Sequence, residues 1–251
     1  MKQLACILIA LATVGVYGED PEKLVNGYPV SIEDNPQCIS IRVRGSHFCG
    51  GSIISDRYIL TAGHCVDGLN PFILPSAVVV TGTSRLSSGG QSFKIKRLIL
   101  HEGYNAKTMD GYDIGLIELA TPIQFNARQK PVCLTNTRAA QNDPVKITAW
   151  GSTGFRQNVH DDLRQLTAVV MPPKTCQSYH QRIMPINEKE FCTLIKSGTG
   201  ACNGDSGSGV VRTTDGCIIG LVSRGMPCAR GYPDVFTEVP PYMPWIKANM
   251  I

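Results

Sequence analysis

The ten cysteines form no C-x-x-C pair, which takes support from the zinc-ribbon and thioredoxin-type accounts of them. No run of five or more like charges occurs. With 24 Lys plus Arg against 20 Asp plus Glu, the net charge of +4 is too weak to indicate a nucleic-acid-binding chain. There is no Asn-x-Ser/Thr sequon, so no N-glycan is expected. Apart from an N-terminal stretch, no segment approaches 18 uninterrupted apolar residues, so no membrane span is expected. Ser/Gly-rich linkers and fixed-period repeats are also missing after residue 23. What is left is a chain of 251 residues, 43% hydrophobic and 18% charged. It has apolar material for a large core and too little charge for a disordered chain.

The cysteine count itself points to disulfides and an oxidising compartment. The N-terminus agrees. Lys2 precedes an apolar run from Leu4 to Val16, about 13 residues and too short to cross a bilayer. Val16 and Gly18 suit the small-residue rule for signal cleavage, so residues 1–18 read as a signal peptide and the protein as secreted. Residues 19–23, Glu-Asp-Pro-Glu-Lys, hold no apolar side chain and read as a propeptide, which leaves a domain over 24–251.

Gly at 25 and Pro at 16 favour turns and short strands over long helices. Strands are expected at 39–43, 58–61, 77–81, 93–100, 114–119, 145–150, 166–170, 209–212, 217–223 and 235–239. Helix is expected over 242–250, with a turn or two between 175 and 182. The fold class is all-β.

Three segments carry chemistry: Thr61-Ala-Gly-His64-Cys65, Asp113-Ile-Gly-Leu116, and Gly204-Asp205-Ser206-Gly207-Ser208-Gly209. Each is weak alone; together they are specific. A serine hydroxyl near neutral pH needs an adjacent base, and an imidazole titrates in the right range to serve. An α/β-hydrolase would need the order Ser, Asp, His, whereas here it is His, Asp, Ser.

These residues resemble the chymotrypsin/trypsin-like serine endopeptidases, over essentially all of 24–251. The resemblance implies two six-stranded antiparallel β-barrels with a C-terminal helix. The first barrel would supply His64 and Asp113, and the second Ser206. His64 would act as base, Asp113 would hold its ring, and the N–H groups of Gly204 and Ser206 would form the oxyanion hole. Ser223 matches a serine beside the triad aspartate. Lys23-Leu24-Val25 matches the activation junction, where cutting after Lys23 would free the Leu24 ammonium to pair with Asp205. The substrates implied are proteins or peptides, with protease inhibitors as further partners, and the chain is expected to be a monomer without cofactor.

The same resemblance places Gly200 at the floor of the specificity pocket, where trypsins carry Asp and typical chymotrypsins Ser. Asp234 falls on the wall, where Gly is usual, and Gly225 keeps the mouth open. That exchange resembles the broad-specificity, collagenolytic-type digestive proteases of some arthropods. It implies acceptance of both large apolar and basic residues. Arg224 stands where the family has Trp, and an altered preference at the neighbouring subsite, toward acidic or polar side chains, is expected. Ser208 and Gly209 replace the usual Gly-Pro.

Implied disulfides are Cys49–Cys65, Cys176–Cys192 and Cys202–Cys228. The first two each close loops worth about 3 kcal/mol. Without Cys6, lost with the signal, Cys38, Cys133 and Cys217 remain. Cys133 with Cys217 is the expected pair, leaving one thiol free or intermolecular. Residues 83–100 contain no Asp or Glu, so no counterpart of the vertebrate trypsin calcium loop, and no metal, is expected. Lys94, Lys96 and Arg97 read as a solvated strand face rather than an exosite. The competing function is a catalytically silent homologue acting as a binding or adaptor protein, for which Arg224 and Ser208 are the only support.

Overall fold

Adjacent apolar residues in the central strands face two different cores, and this shapes the whole molecule. In the computed structural model, residues 23–107, 111–154, 157–181, 184–194, 197–226 and 228–250 are described. The expected signal peptide and residues 19–22 lie outside them, as does Arg182 at the end of the second helical segment.

Six strands close the first barrel: β2 (Cys38–Val43), β3 (Ser46–Ile53), β4 (Tyr58–Thr61), β5 (Ala77–Thr81), β6 (Gln91–Leu100) and β7 (Gly115–Leu119), in the order β2-β3-β4-β7-β6-β5. Every pairing is antiparallel. Ile59 and Ile117 point into this barrel, beside Ile39, Ile41, Val79 and Phe93. Their neighbours Leu60 and Leu116 point the other way, as the two-residue period of a strand requires. There they meet Ile218, Leu221, Tyr242 and Ile246 from the second half of the chain. The apolar runs of β4 and β7 are unbroken because one side fills a barrel and the other fills the seam between barrels.

The second sheet has eight strands, two of them short. Its path runs β1 (Tyr28–Pro29), β10 (Arg164–Val169), β9 (Pro144–Ala149), β12 (Gly209–Arg212), β13 (Cys217–Arg224), β14 (Asp234–Glu238) and β11 (Glu190–Thr193). The eighth, β8 (Cys133–Leu134), pairs parallel with β13. A bridge between Val170 and Thr193 brings the ends of the path together, so the six longer strands curl into a barrel. Ile147, Val210, Ile219 and Phe236 fill it. The two expected six-stranded barrels are both present, and the second carries the two-residue strands β1 and β8 in addition.

Among the described residues, three helices of more than four residues complete the architecture: α1 (Gly63–Gly68), α2 (Pro173–His180) and α3 (Met243–Asn249). No helix among the described residues is long and apolar enough to cross a membrane.

Most expected strands appear within a residue or two. The clearest miss is β3, whose Gly50-Gly51 core lacks apolar alternation. A Cβ on Gly50 would lie 2.0 Å from Ser208 Oγ, so the strand is glycine there to let the second barrel's loop pack onto it.

Since Leu60 is fully buried in the seam, Leu60→Ala is expected to lower unfolding stability by about 2–5 kcal/mol in urea denaturation. A loss under about 1 kcal/mol would contradict the seam as a packed core.

Candidate active site

His64 lies in the first turn of α1, directly after β4, and Asp113 in the loop before β7. The Asp113 loop is pinned from the turn before the C-terminal helix, where the Tyr242 hydroxyl donates to the carbonyl of Gly111. The backbone N–H of His64 donates to Asp113 Oδ1 at 2.7 Å, and Nδ1 lies 2.8 Å from Oδ2. A carboxylate can only accept here, so Nδ1 carries the proton and Nε2 is left as the basic nitrogen. Ser223 Oγ donates to Asp113 Oδ2 at 2.6 Å. Burial pulls the imidazole pKa down, but the hydrogen bond and charge of Asp113 outweigh it and hold it above its ordinary value. Burial raises the Asp113 carboxyl, yet His64 and Ser223 together keep it below the usual carboxylate range.

Ser206 comes from the turn before β12. Its hydroxyl makes no hydrogen bond among the described residues, and it lines a cavity of about 140 Å³ with Gly225, Met226 and Asp234. A second cavity of about 220 Å³ is lined by His64, Asp113, Tyr104 and Tyr112. The two cavities share Ser223 and Arg224 as lining residues. Catalytic hydrogen bonds commonly tighten only once substrate is bound.

The amides around Ser206 fall into two sets. Those of Asp205, Gly207 and Ser208 donate to Cys202, Val222 and Asp205 carbonyls at 3.0 Å or slightly more or less. Those of Gly204 and Ser206 have no acceptor among the described residues. Gly204 holds φ +93, a conformation that L side chains rarely adopt. Its carbonyl is turned away to accept from His47 Nε2 at 2.8 Å, while His47 Nδ1 lies 2.8 Å from Ser40 Oγ. Burial pushes the His47 imidazole down to about 4, so it is neutral, with its proton on Nε2 and Ser40 donating to Nδ1. Sequence reasoning missed His47, since a lone histidine in an unrecognised strand carries no signal.

A family model described as "Trypsin" matches residues 24–246. The chain is 37% identical over 218 residues to "Chymotrypsin-2" of Vespa crabro, covering 86% of this chain and 94% of the wasp protein. It is 36% identical over 234 residues to "Trypsin Blo t 3" of Blomia tropicalis, covering 90% of this chain and 85% of that one. It is 34% identical over 230 residues to "Trypsin 5G1" of Aedes aegypti, covering 90% and 84%. The chain belongs to the trypsin family of serine endopeptidases.

Among the described residues four disulfides are formed: the three that the resemblance implies, Cys49–Cys65, Cys176–Cys192 and Cys202–Cys228, and the further expected pair Cys133–Cys217. Among the described residues Cys38 is the remaining thiol, buried, and that burial pushes it up to about 12, which makes it a poor nucleophile near neutral pH. Among the described residues the two His/Cys clusters of metal-ligand spacing, Cys49-His64-Cys65 and Cys176-His180-Cys192, both use sulfurs already joined in disulfides. Lys96 and Arg97 both pair with Glu118, at 2.6 and 2.8 Å, as members of a solvated strand face.

Asp234 is turned inward. Its Oδ2 accepts from the Ala201 N–H at 2.8 Å and lies 2.6 Å from where a Cβ on Gly200 would stand. The carboxylate therefore fills the floor space that Gly200 vacates. Arg224 is held by a carboxylate. Its guanidinium is engaged by Glu190, Nε to Oε1 at 3.0 Å and Nη2 to Oε2 at 2.6 Å, so it does not offer an open positive charge to substrate.

Asp205 is fully buried, with Oδ1 on the Gly151 N–H and Oδ2 on the Cys202 N–H, each at 2.8 Å. No cation pairs with it among the described residues. Burial raises it to about 7, with Asp234 adding to the rise and the two amides opposing it. A folded-state value above the unfolded one means that ionisation destabilises the fold, beginning above pH 3.8 and complete above about 7. In the chain uncut at Lys23, the stability of Asp205→Asn relative to the parent should therefore rise from pH 4 to pH 8 in urea denaturation. A pH-independent difference would contradict a buried, cation-free Asp205.

Proposed function

We propose that the protein is a secreted endopeptidase made as a zymogen, with residues 1–18 as signal peptide and 19–23 as propeptide. Cutting after Lys23 frees an ammonium on Leu24. The observation favouring this is that Leu24 is already buried, against Ala149 and Leu166, while the carbonyl of Val25 accepts from Gly200 N–H at 3.2 Å. The new terminus would start one residue before this contact with Gly200, which lies two residues before the Cys202 N–H that holds Asp205. An unpaired buried charge costs about 3–5 kcal/mol, so supplying the ammonium can drive the pocket into order.

The reaction then runs as follows. Ser206 Oγ attacks the substrate carbonyl carbon while His64 Nε2 takes its proton. Asp113, held by Ser223, keeps Nδ1 protonated and stabilises the imidazolium. The oxyanion meets the open N–H groups of Gly204 and Ser206, where one such donor is worth about 3–4 kcal/mol of barrier. His64 returns its proton to the leaving amine. A water, deprotonated by the same nitrogen, then hydrolyses the acyl-enzyme. The observation that carries this is the hydrogen-bonded chain Ser223–Asp113–His64, lining a cavity that adjoins the one lined by an unbonded Ser206 with two open amides at and beside it.

Specificity is proposed to be broad, of the collagenolytic type. The open Gly225 mouth takes large apolar side chains, and Asp234 takes Arg or Lys. Cleavage-site profiling on a mixed peptide library, after cutting at Lys23, should give cuts after both classes. Ser206→Ala should lose activity by a factor on the order of 10⁶. Failure of the correctly cut chain to hydrolyse any peptide would favour the silent homologue instead.

The balance between the classes should depend on pH. Burial raises Asp234 to about 7, against the opposing Ala201 N–H. The floor is then neutral below that value and anionic above it. The ratio of cutting after Arg or Lys to cutting after Leu or Phe should rise between pH 6 and pH 8. Taking the ratio cancels the titration of His64. An unchanged ratio would place Asp234 outside the substrate's reach.

A further inference from the structure

The cavity that His64 lines, which shares Ser223 and Arg224 with the Asp234 pocket, is walled by an ion pair at the position where the family carries a tryptophan. Arg224, at the end of β13, is only 16% exposed at its side chain, and Glu190, at the start of β11, only 1%. Both carboxylate oxygens of Glu190 are taken by the guanidinium, and Oε2 also accepts from the Asn187 N–H at 2.8 Å. Arg224 Nη2 also donates to the carbonyl of Pro185 at 2.8 Å. Two parallel N–H···O bonds fix the plane of the guanidinium. The rest of the cavity is lined chiefly by Tyr104, Ala106 and Tyr112.

We infer that Glu190 is a specificity-determining residue, which cancels the charge of Arg224 and keeps the subsite beside His64 selective for uncharged side chains. The inference rests on the endopeptidase reading above. In that reading, residues preceding the cut lie along Ser223 and Arg224 and place a side chain in this cavity. An unpaired arginine there would select Asp or Glu, and an unpaired glutamate would select Lys or Arg. The pair held in register presents a dipole whose field falls off faster than that of either charge.

The test is a mirrored one. The chain cut at Lys23 is profiled on a peptide library as the parent, Glu190→Gln, Arg224→Gln and the double variant. Glu190→Gln should raise cutting of peptides with Asp or Glu in this subsite about fivefold relative to uncharged ones, the range of a partly screened charge. Arg224→Gln should raise Lys and Arg by a similar factor, and the double variant should do neither. Both gains should shrink at high salt, which a merely structural loss would not do. If one single variant fails to fold, the other still decides. Unchanged charge ratios in the folded single variants, or a parent that already prefers acidic side chains there, would overturn the inference while leaving the endopeptidase standing. A parent chain that cuts nothing would overturn both.

Discussion

A carboxylate with no exposed surface organises this molecule. Asp205 hangs from the amides of Gly151 and Cys202, one residue before the candidate nucleophile. The amide just before Cys202, that of Ala201, holds Asp234. Two buried acids thus share one short stretch of backbone, one tied to activation and the other to specificity in the proposed function. Burial pushes both toward protonation, and Asp234 adds to the push on Asp205. An ammonium at Leu24 would relieve the first directly. Because the same strip of amides serves both, the charge state of one bears on the order of the other.

The seam between the barrels explains how distant residues meet. Leu60 and Leu116 lead to His64 and from Asp113 respectively, and both are packed against Ile218, Leu221 and Tyr242 of the other half. Tyr242 is also bonded to the Asp113 loop. Gly50 lets β3 lie under the Ser206 turn, where its N–H donates to the Ser206 carbonyl at 2.8 Å. The site is therefore supported by rigid strands on both sides, with its reactive atoms on short turns above them.

How much of this was legible in the sequence varied with the physics of each residue. Strands such as Tyr58–Thr61 and Gly209–Arg212 were readable because their side chains carry the burial. β3 was not, since close backbone approach demands glycine and erases the pattern. The triad segments were legible through their local glycines and order along the chain. Asp234 was read as a wall residue, and its reach over Gly200 became visible only with the side chain placed. The partner of Arg224 is 34 residues away in sequence and has no motif. The charge of Arg224 therefore looked available when it is neutralised. His47 was invisible for the same reason, because its role lies in bonds to Ser40 and Gly204 and in no spacing.

The most direct test of the account is covalent labelling of Ser206 with a phosphonofluoridate. The hydroxyl displaces fluoride at phosphorus, and the phosphonylated residue is located by mass spectrometry. The account predicts stoichiometric labelling at Ser206 once the chain is cut after Lys23, and slow labelling of the uncut chain. Equal labelling before and after the cut would contradict the role given to the Leu24 ammonium and Asp205. Absence of label on Ser206 in the cut chain would contradict the account of the site as a whole.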